Sequence, residues 1–145
     1  MEDEWIPELL GQNARLVSPD ALLETADLLE DDAHPVMRNR LYGRDVDTVV
    51  DTARTVAAAF LDGGVLPVLK HIPGHGRAQS DSHFDLPHVA ASAADLATRD
   101  FAPFKALNDL PMGMTAHIVY DALDSQPATL SPKVMRLIRD QIGFD

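Results

Sequence analysis

Residues 70–83 read Lys-His-Ile-Pro-Gly-His-Gly-Arg-Ala-Gln-Ser-Asp-Ser-His. The stretch gathers ionisable side chains of different chemistry: an ammonium at Lys70, imidazoles at His71, His75 and His83, and a carboxylate at Asp81. An ammonium offers three hydrogen-bond donors, and a neutral imidazole offers one donor and one acceptor. An Asp-x-His pair can also carry protons, because imidazole titrates near pH 6.5 and an adjacent carboxylate favours its protonated form. Clusters of this kind, on loops leaving strands, are where a scaffold keeps its chemistry. His71, His75, Asp81 and His83 could also be read as zinc ligands. However, Pro73 and Gly74 separate the first two, and the i, i+4 helical pair of a zincin cannot run through them comfortably. No metal or organic cofactor is expected.

A short apolar run, residues 65–69, precedes Lys70 and predicts a strand covered on both faces. Before it, Val46, Val49, Val50, Ala53, Val56, Ala57 and Phe60 recur at helical period, with Asp45 placed to cap the helix and Gly63 to stop it. Ser18-Pro19-Asp20 predicts an earlier helix start, and His34-Pro35 breaks the chain after it. Beyond the loop, residues 91–107 predict an amphipathic helix ended or kinked by Pro103. Residues 112–119 predict a second strand, and Ser131-Pro132 opens a third helix that Gly143 stops. Strands and helices alternating at this spacing predict an α/β fold built on a parallel sheet.

The chain has 145 residues, 46% of them hydrophobic, and a formal net charge of −11. That acidity, with no cluster of Lys or Arg, argues against a nucleic-acid partner. Nothing in it approaches the roughly 20 apolar residues of a membrane helix, and its acidic start is unlike a signal peptide. With no cysteine there can be no disulfide or thiolate metal site, which agrees with a cytoplasmic location.

The 70–83 stretch closely resembles the signature of the bacterial β-N-acetylhexosaminidases of glycoside hydrolase family 3. Arg40-Leu41-Tyr42-Gly43 resembles the family's Arg-[Ser/Cys/Leu]-[Phe/Tyr]-Gly element, and Met114-Thr115-Ala116-His117 its fifth-strand segment. Ala128-Thr129-Leu130-Ser131-Pro132 also matches, where a helix cap is role enough. The resemblance implies a partial TIM (β/α)₈ barrel, roughly the segment around strands 3 to 5, since a whole barrel takes about 250 residues. It divides the chain into residues 1–25, a divergent N-terminal segment, and residues 26–145, part of the family's N-terminal barrel domain. In the divergent segment a helix signal competes with the third strand expected there.

For the site, the resemblance implies that Arg40, Lys70 and His71 bind the N-acetylglucosamine. His83 becomes the general acid/base on a mobile loop, with Asp81 orienting its ring. From the residues themselves, His75 shapes the loop by hydrogen bonding, between glycines that permit positive φ; by the resemblance, His117 and Met114 line the pocket floor. The implied reaction removes terminal β-linked N-acetylglucosamine from anhydromuropeptides in peptidoglycan recycling, with retention. The family's nucleophile is an Asp on the strand that follows Phe144-Asp145, so the isolated chain is expected to be inactive. A family 3 β-glucosidase is the first alternative, although the Asp-Ser-His loop argues against it. A non-catalytic remnant that binds sugar or an unidentified partner protein is the second.

Overall fold

The computed structural model of the chain describes residues 23–31, 35 and 40–145, and the helix start expected at Ser18 lies outside them. Its main sheet is parallel, with strands in the order β1 (Leu23–Thr25), β2 (Val68–Ile72) and β4 (Met112–Thr115). A second, two-stranded parallel sheet pairs β3 (His88–Val89) with β5 (Val119–Tyr120).

Helix α1 (Val46–Asp62) carries the chain from β1 to β2 and forms for the reasons its sequence suggests. The Asp45 side chain accepts from the Thr48 amide at 2.9 Å, and the Gly63 amide closes the far end on Ala59 O at 3.1 Å. Val49, Ala53 and Ala57 are its buried stripe. They pack into one core with Leu69 and Ile72 of β2 and with Phe104.

Two strands differ from expectation. The second begins at Val68 rather than residue 65, because Pro67 has no amide to give a ladder, and it runs on through Lys70 and His71 to Ile72. Polar residues are tolerated there because the parallel ladder, β1 on one side and β4 on the other, holds the backbone independently of the side chains. The stretch expected as one strand over 112–119 splits in two. β4 ends at Thr115, after which the Ala116 amide bonds Ile72 O at 2.7 Å, and β5 leaves for the other sheet. Met112, Gly113 and Met114 stay exposed along the outer edge of β4.

The expected break at Pro103 is present. Ser92 caps the short α2 (Ala93–Asp95), a π-helical turn follows at Leu96–Asp100, and α3 (Ala102–Ala106) restarts with Pro103 in its first turn. There the missing amide costs no hydrogen bond. A 3₁₀ turn (Ala128–Leu130) leads to α4 (Pro132–Leu137), which runs into a π-helical turn (Ile138–Ile142) ended by Gly143 at φ 83°. Among the described residues no helix is long and apolar enough to cross a membrane.

Ser131 caps α4: its Oγ accepts from the Val134 amide at 3.0 Å and donates to Asp124 Oδ2 at 2.5 Å. Replacing a capping serine by alanine typically costs about 0.5–2 kcal/mol. Ser131→Ala should therefore lower the urea midpoint by that equivalent at unchanged m-value. An unmoved midpoint would show that this buried hydroxyl is dispensable.

Candidate active site

The carboxyl end of β2 delivers the cluster. Lys70 and His71 are its third and fourth residues, and the loop of Pro73, Gly74, His75 and Gly76 follows directly. Lys70 is buried, which removes the reading of a strand-end lysine stretched into solvent. The Lys70–His71 and Ile72–Pro73 peptide bonds are both cis.

Beneath this turn lies a residue that sequence reasoning passed over. Asp27, two residues beyond β1, has 0% exposure. Its Oδ1 accepts from the His75 amide at 2.6 Å, and its Oδ2 meets His71 Nδ1 at 2.8 Å. The His71 amide lies farther off, 3.3 and 3.4 Å from the two oxygens. A carboxylate only accepts, so His71 must carry its proton on Nδ1, which turns Nε2 away from Asp27. The sequence around Asp27, Leu22-Leu23-Glu24-Thr25-Ala26-Asp27, carries no alternating or continuous apolar pattern that would mark it as the end of a strand. Expecting a helix over that stretch hid it.

His75 is 3% exposed, and its ring centroid stands 5.1 Å from that of His71. Burial is the main reason its pKa lies below the ordinary imidazole value; Asp27 opposes the shift, while the charges of His71 and Arg40 add to it. Its Nε2 lies 3.0 Å from Ser82 Oγ, so His75 shapes the loop by hydrogen bonding as expected. The glycines beside it act differently from each other. Gly74 does adopt positive φ, 137°, with its carbonyl accepting from the buried Tyr120 hydroxyl at 2.6 Å. Gly76 is instead a close approach: a Cβ there would sit 1.7 Å from Leu28 O.

Asp81 and His83 form a pair. Asp81 Oδ1 accepts from the His83 amide at 3.0 Å and lies 2.7 Å from its Nδ1. The His83 side chain is 71% exposed, so its Nε2 edge is open. Arg77 anchors the loop between the two clusters through Nε, which donates to both oxygens of the buried Asp100 at 3.0 and 2.9 Å. Burial raises the Asp100 pKa, and the Arg77 guanidinium offsets part of that rise.

The structure thus joins Lys70, His71, His75, Asp27 and Ser82 in one region, with Asp81 and His83 attached through Ser82. Arg40 is exposed and near enough for its charge to act on His75. Met114 and His117, expected on a pocket floor, are both exposed. Among the described residues no three His, Asp or Glu side chains are placed to hold a metal ion.

The scaffold is a parallel α/β sheet whose second strand carries a Lys-His pair near its end, with an Asp-His pair on the following loop. Residues 23–145 match the family model described as the glycosyl hydrolase family 3 N terminal domain, and the chain belongs to that family. It is 37% identical over 113 residues to a β-hexosaminidase of Bordetella avium, covering 76% of this chain and 32% of that protein. It therefore spans about a third of the curated relative's length. Among solved structures it is similar to a family 3 β-N-acetylglucosaminidase from Paenibacillus sp. str. FPU-7, with TM-score 0.78 and 32% identity over 83% of this chain and 24% of that one. NagZ from Neisseria gonorrhoeae in complex with N-trifluoroacetyl-D-glucosamine gives TM-score 0.77 and 29% identity, over 94% and 39% of the respective chains.

The depressed His75 pKa has a consequence for stability. The unfolded chain takes up this proton first as pH falls below about 6.5, the ordinary imidazole value. The stability due to the neutral ring is intact above that pH and is lost as acid approaches the lower folded value. Asp100 works in the opposite sense, its contribution falling as pH rises through its raised value. Glutamine at 75 can reach Ser82 but cannot titrate. Wild type should therefore lose more stability between pH 7.5 and 5.5 than His75→Gln, measured by urea unfolding. Equal losses would place the titration elsewhere.

Proposed function

We propose that the chain is the central part of a retaining β-N-acetylhexosaminidase, occupying the region around strands 3 to 5 of a (β/α)₈ barrel. Its substrate would be terminal β-linked N-acetylglucosamine of anhydromuropeptides, in cytoplasmic peptidoglycan recycling. The observation that carries this reading is the Asp81–His83 pair, its imidazole exposed, on a loop tied through His75 to the turn that follows Lys70 and His71. The similarity to β-hexosaminidases and to a NagZ structure holding an N-acylglucosamine analogue supports the substrate class.

In this reading Lys70, His71 and Arg40 supply the donors and acceptors that hold the sugar. With Nδ1–H directed at Asp81, the imidazolium of His83 presents its Nε2 proton outward to the glycosidic oxygen. Once the leaving group departs, the neutral ring accepts a proton from the incoming water at the same nitrogen. A histidine–aspartate dyad thus replaces the acid/base carboxylic acid common in glycosidases. The Asp81 carboxylate balances the imidazolium, so the ring can hold and release a proton without leaving its place. The nucleophile of a retaining enzyme must lie on the opposite side of the bond, roughly 5 Å from the acid carboxyl in the common pair. The reading assigns it to an Asp on a strand beyond residues 144 and 145.

Two outcomes check this. The 145-residue chain alone should give no turnover of a chromogenic N-acetylglucosaminide; clear hydrolysis would place the nucleophile among these residues. In a full-length enzyme where residues 23–145 replace the matching third of the Bordetella avium relative, His83→Ala should lower hydrolysis of a natural disaccharide about 10²–10⁴-fold. A 4-nitrophenyl glycoside should suffer less, because its leaving group needs less protonation. Full activity on the disaccharide would remove His83 from the mechanism.

A further inference from the structure

We propose that His75 is a positioning residue for the acid/base loop, latching Ser82 to the same buried carboxylate that orients His71. The catalytic meaning of this latch rests on the reading of His83 given above; the latch itself stands on geometry. Asp27 fixes both histidines, His75 through its backbone amide at 2.6 Å and His71 through its ring at 2.8 Å. The His75 ring then spans from this buried base to Ser82 Oγ at 3.0 Å. Ser82 stands between Asp81 and His83, so whatever holds Ser82 sets where the dyad stands. Two bonds close the turn on itself, the Phe84 and Asp85 amides both reaching Asp81 O at 3.0 Å. The His75 bond instead ties the turn to the framework under β2.

The protonation state of His75 follows from its surroundings. Its Nδ1 is buried without a hydrogen-bond partner. A neutral imidazole carries one N–H, and a proton on Nδ1 would bury an unsatisfied donor while Nε2 merely accepted. Placing the proton on Nε2 makes His75 the donor to Ser82 Oγ and leaves only a lone pair unpaired. The latch is therefore an Nε2–H···Oγ bond made by a neutral ring. The groups facing it are Asp27, whose charge favours a protonated ring, and His71 and Arg40, whose charges oppose one.

The test uses the 145-residue chain labelled with ¹⁵N-histidine, together with Ser82→Ala, Ser82→Thr and His75→Gln. Long-range ¹H–¹⁵N spectra at pH 7.5 should show His75 as the Nε2–H tautomer. Loss of one hydrogen bond should shift the local opening equilibrium about 2- to 10-fold. Ser82→Ala should therefore speed amide exchange at residues 83–85 by that factor and leave the β2 amides unchanged. Threonine at 82 and glutamine at 75 can still make the bond, so both should stay within about twofold of wild type. An Nδ1–H tautomer, unchanged exchange at 83–85 in Ser82→Ala, or acceleration that spreads equally to β2 would each overturn the latch. Should the latch hold while His83→Ala keeps full activity in the full-length enzyme, the catalytic reading fails and the tether does not.

Discussion

The site depends on one buried carboxylate. An ionisable group with no exposure is costly to keep unless its lone pairs are used. Asp27 uses both of its oxygens, one on the His75 amide and one on the His71 ring. That requirement fixes much else. It demands that the end of β2 and the turn after it bring His71 and His75 together over Asp27, just beyond β1. It sets the tautomer of His71, and so decides which nitrogen that ring can offer a ligand. It also holds the backbone from which the His75 ring departs toward Ser82.

Around this centre the loop is fastened from two more directions. Arg77 reaches across to Asp100 in the π-helical turn, and the Tyr120 hydroxyl holds the Gly74 carbonyl from β5. Both partners lie in elements that carry no expected site residue. Their sequence spacing from the loop is long, and their role emerges only when the chain brings the second sheet and the broken helix against β2. The exposed His83 is the contrast. Its ring is held by Asp81 and otherwise open, as the role proposed for it in proton transfer requires.

Much of this was legible before the fold. The caps at Asp45 and Ser131, the stop at Gly63 and the break at Pro103 are local signals, and local signals survive folding. The Lys-His and Asp-x-His pairs of residues 70–83 were legible as well, and the structure ties their loop to the buried Asp27 through His75. What misled was tertiary. Residues 65–69 look more like a strand than residues 68–72 because apolarity is easier to see than pairing, yet Pro67 cannot donate and Lys70 can. β1 was hidden by a competing helix signal, since its conformation comes from the partner strand: Leu23 stands against Val68, and Thr25 against Lys70. With β1 misread, Asp27 could not be seen as the residue beneath the turn.

Gly76 shows how tightly those two misread segments are coupled. Its φ is not in the left-handed region, so conformational freedom does not explain the glycine. The explanation lies in Leu28, the neighbour of Asp27, whose carbonyl oxygen would be 1.7 Å from any Cβ at position 76. The Asp27 carboxylate reaches the His75 amide at 2.6 Å only because the next residue on each chain segment lies backbone against backbone. A side chain at 76 would have to push residues 27 and 28 away. The carboxylate would then lose the amide of His75 and its grip on His71 together. Gly76 and Asp27 are thus two halves of one steric constraint, expressed in a hydrogen bond between His75 and Asp27 that spans 48 positions of sequence.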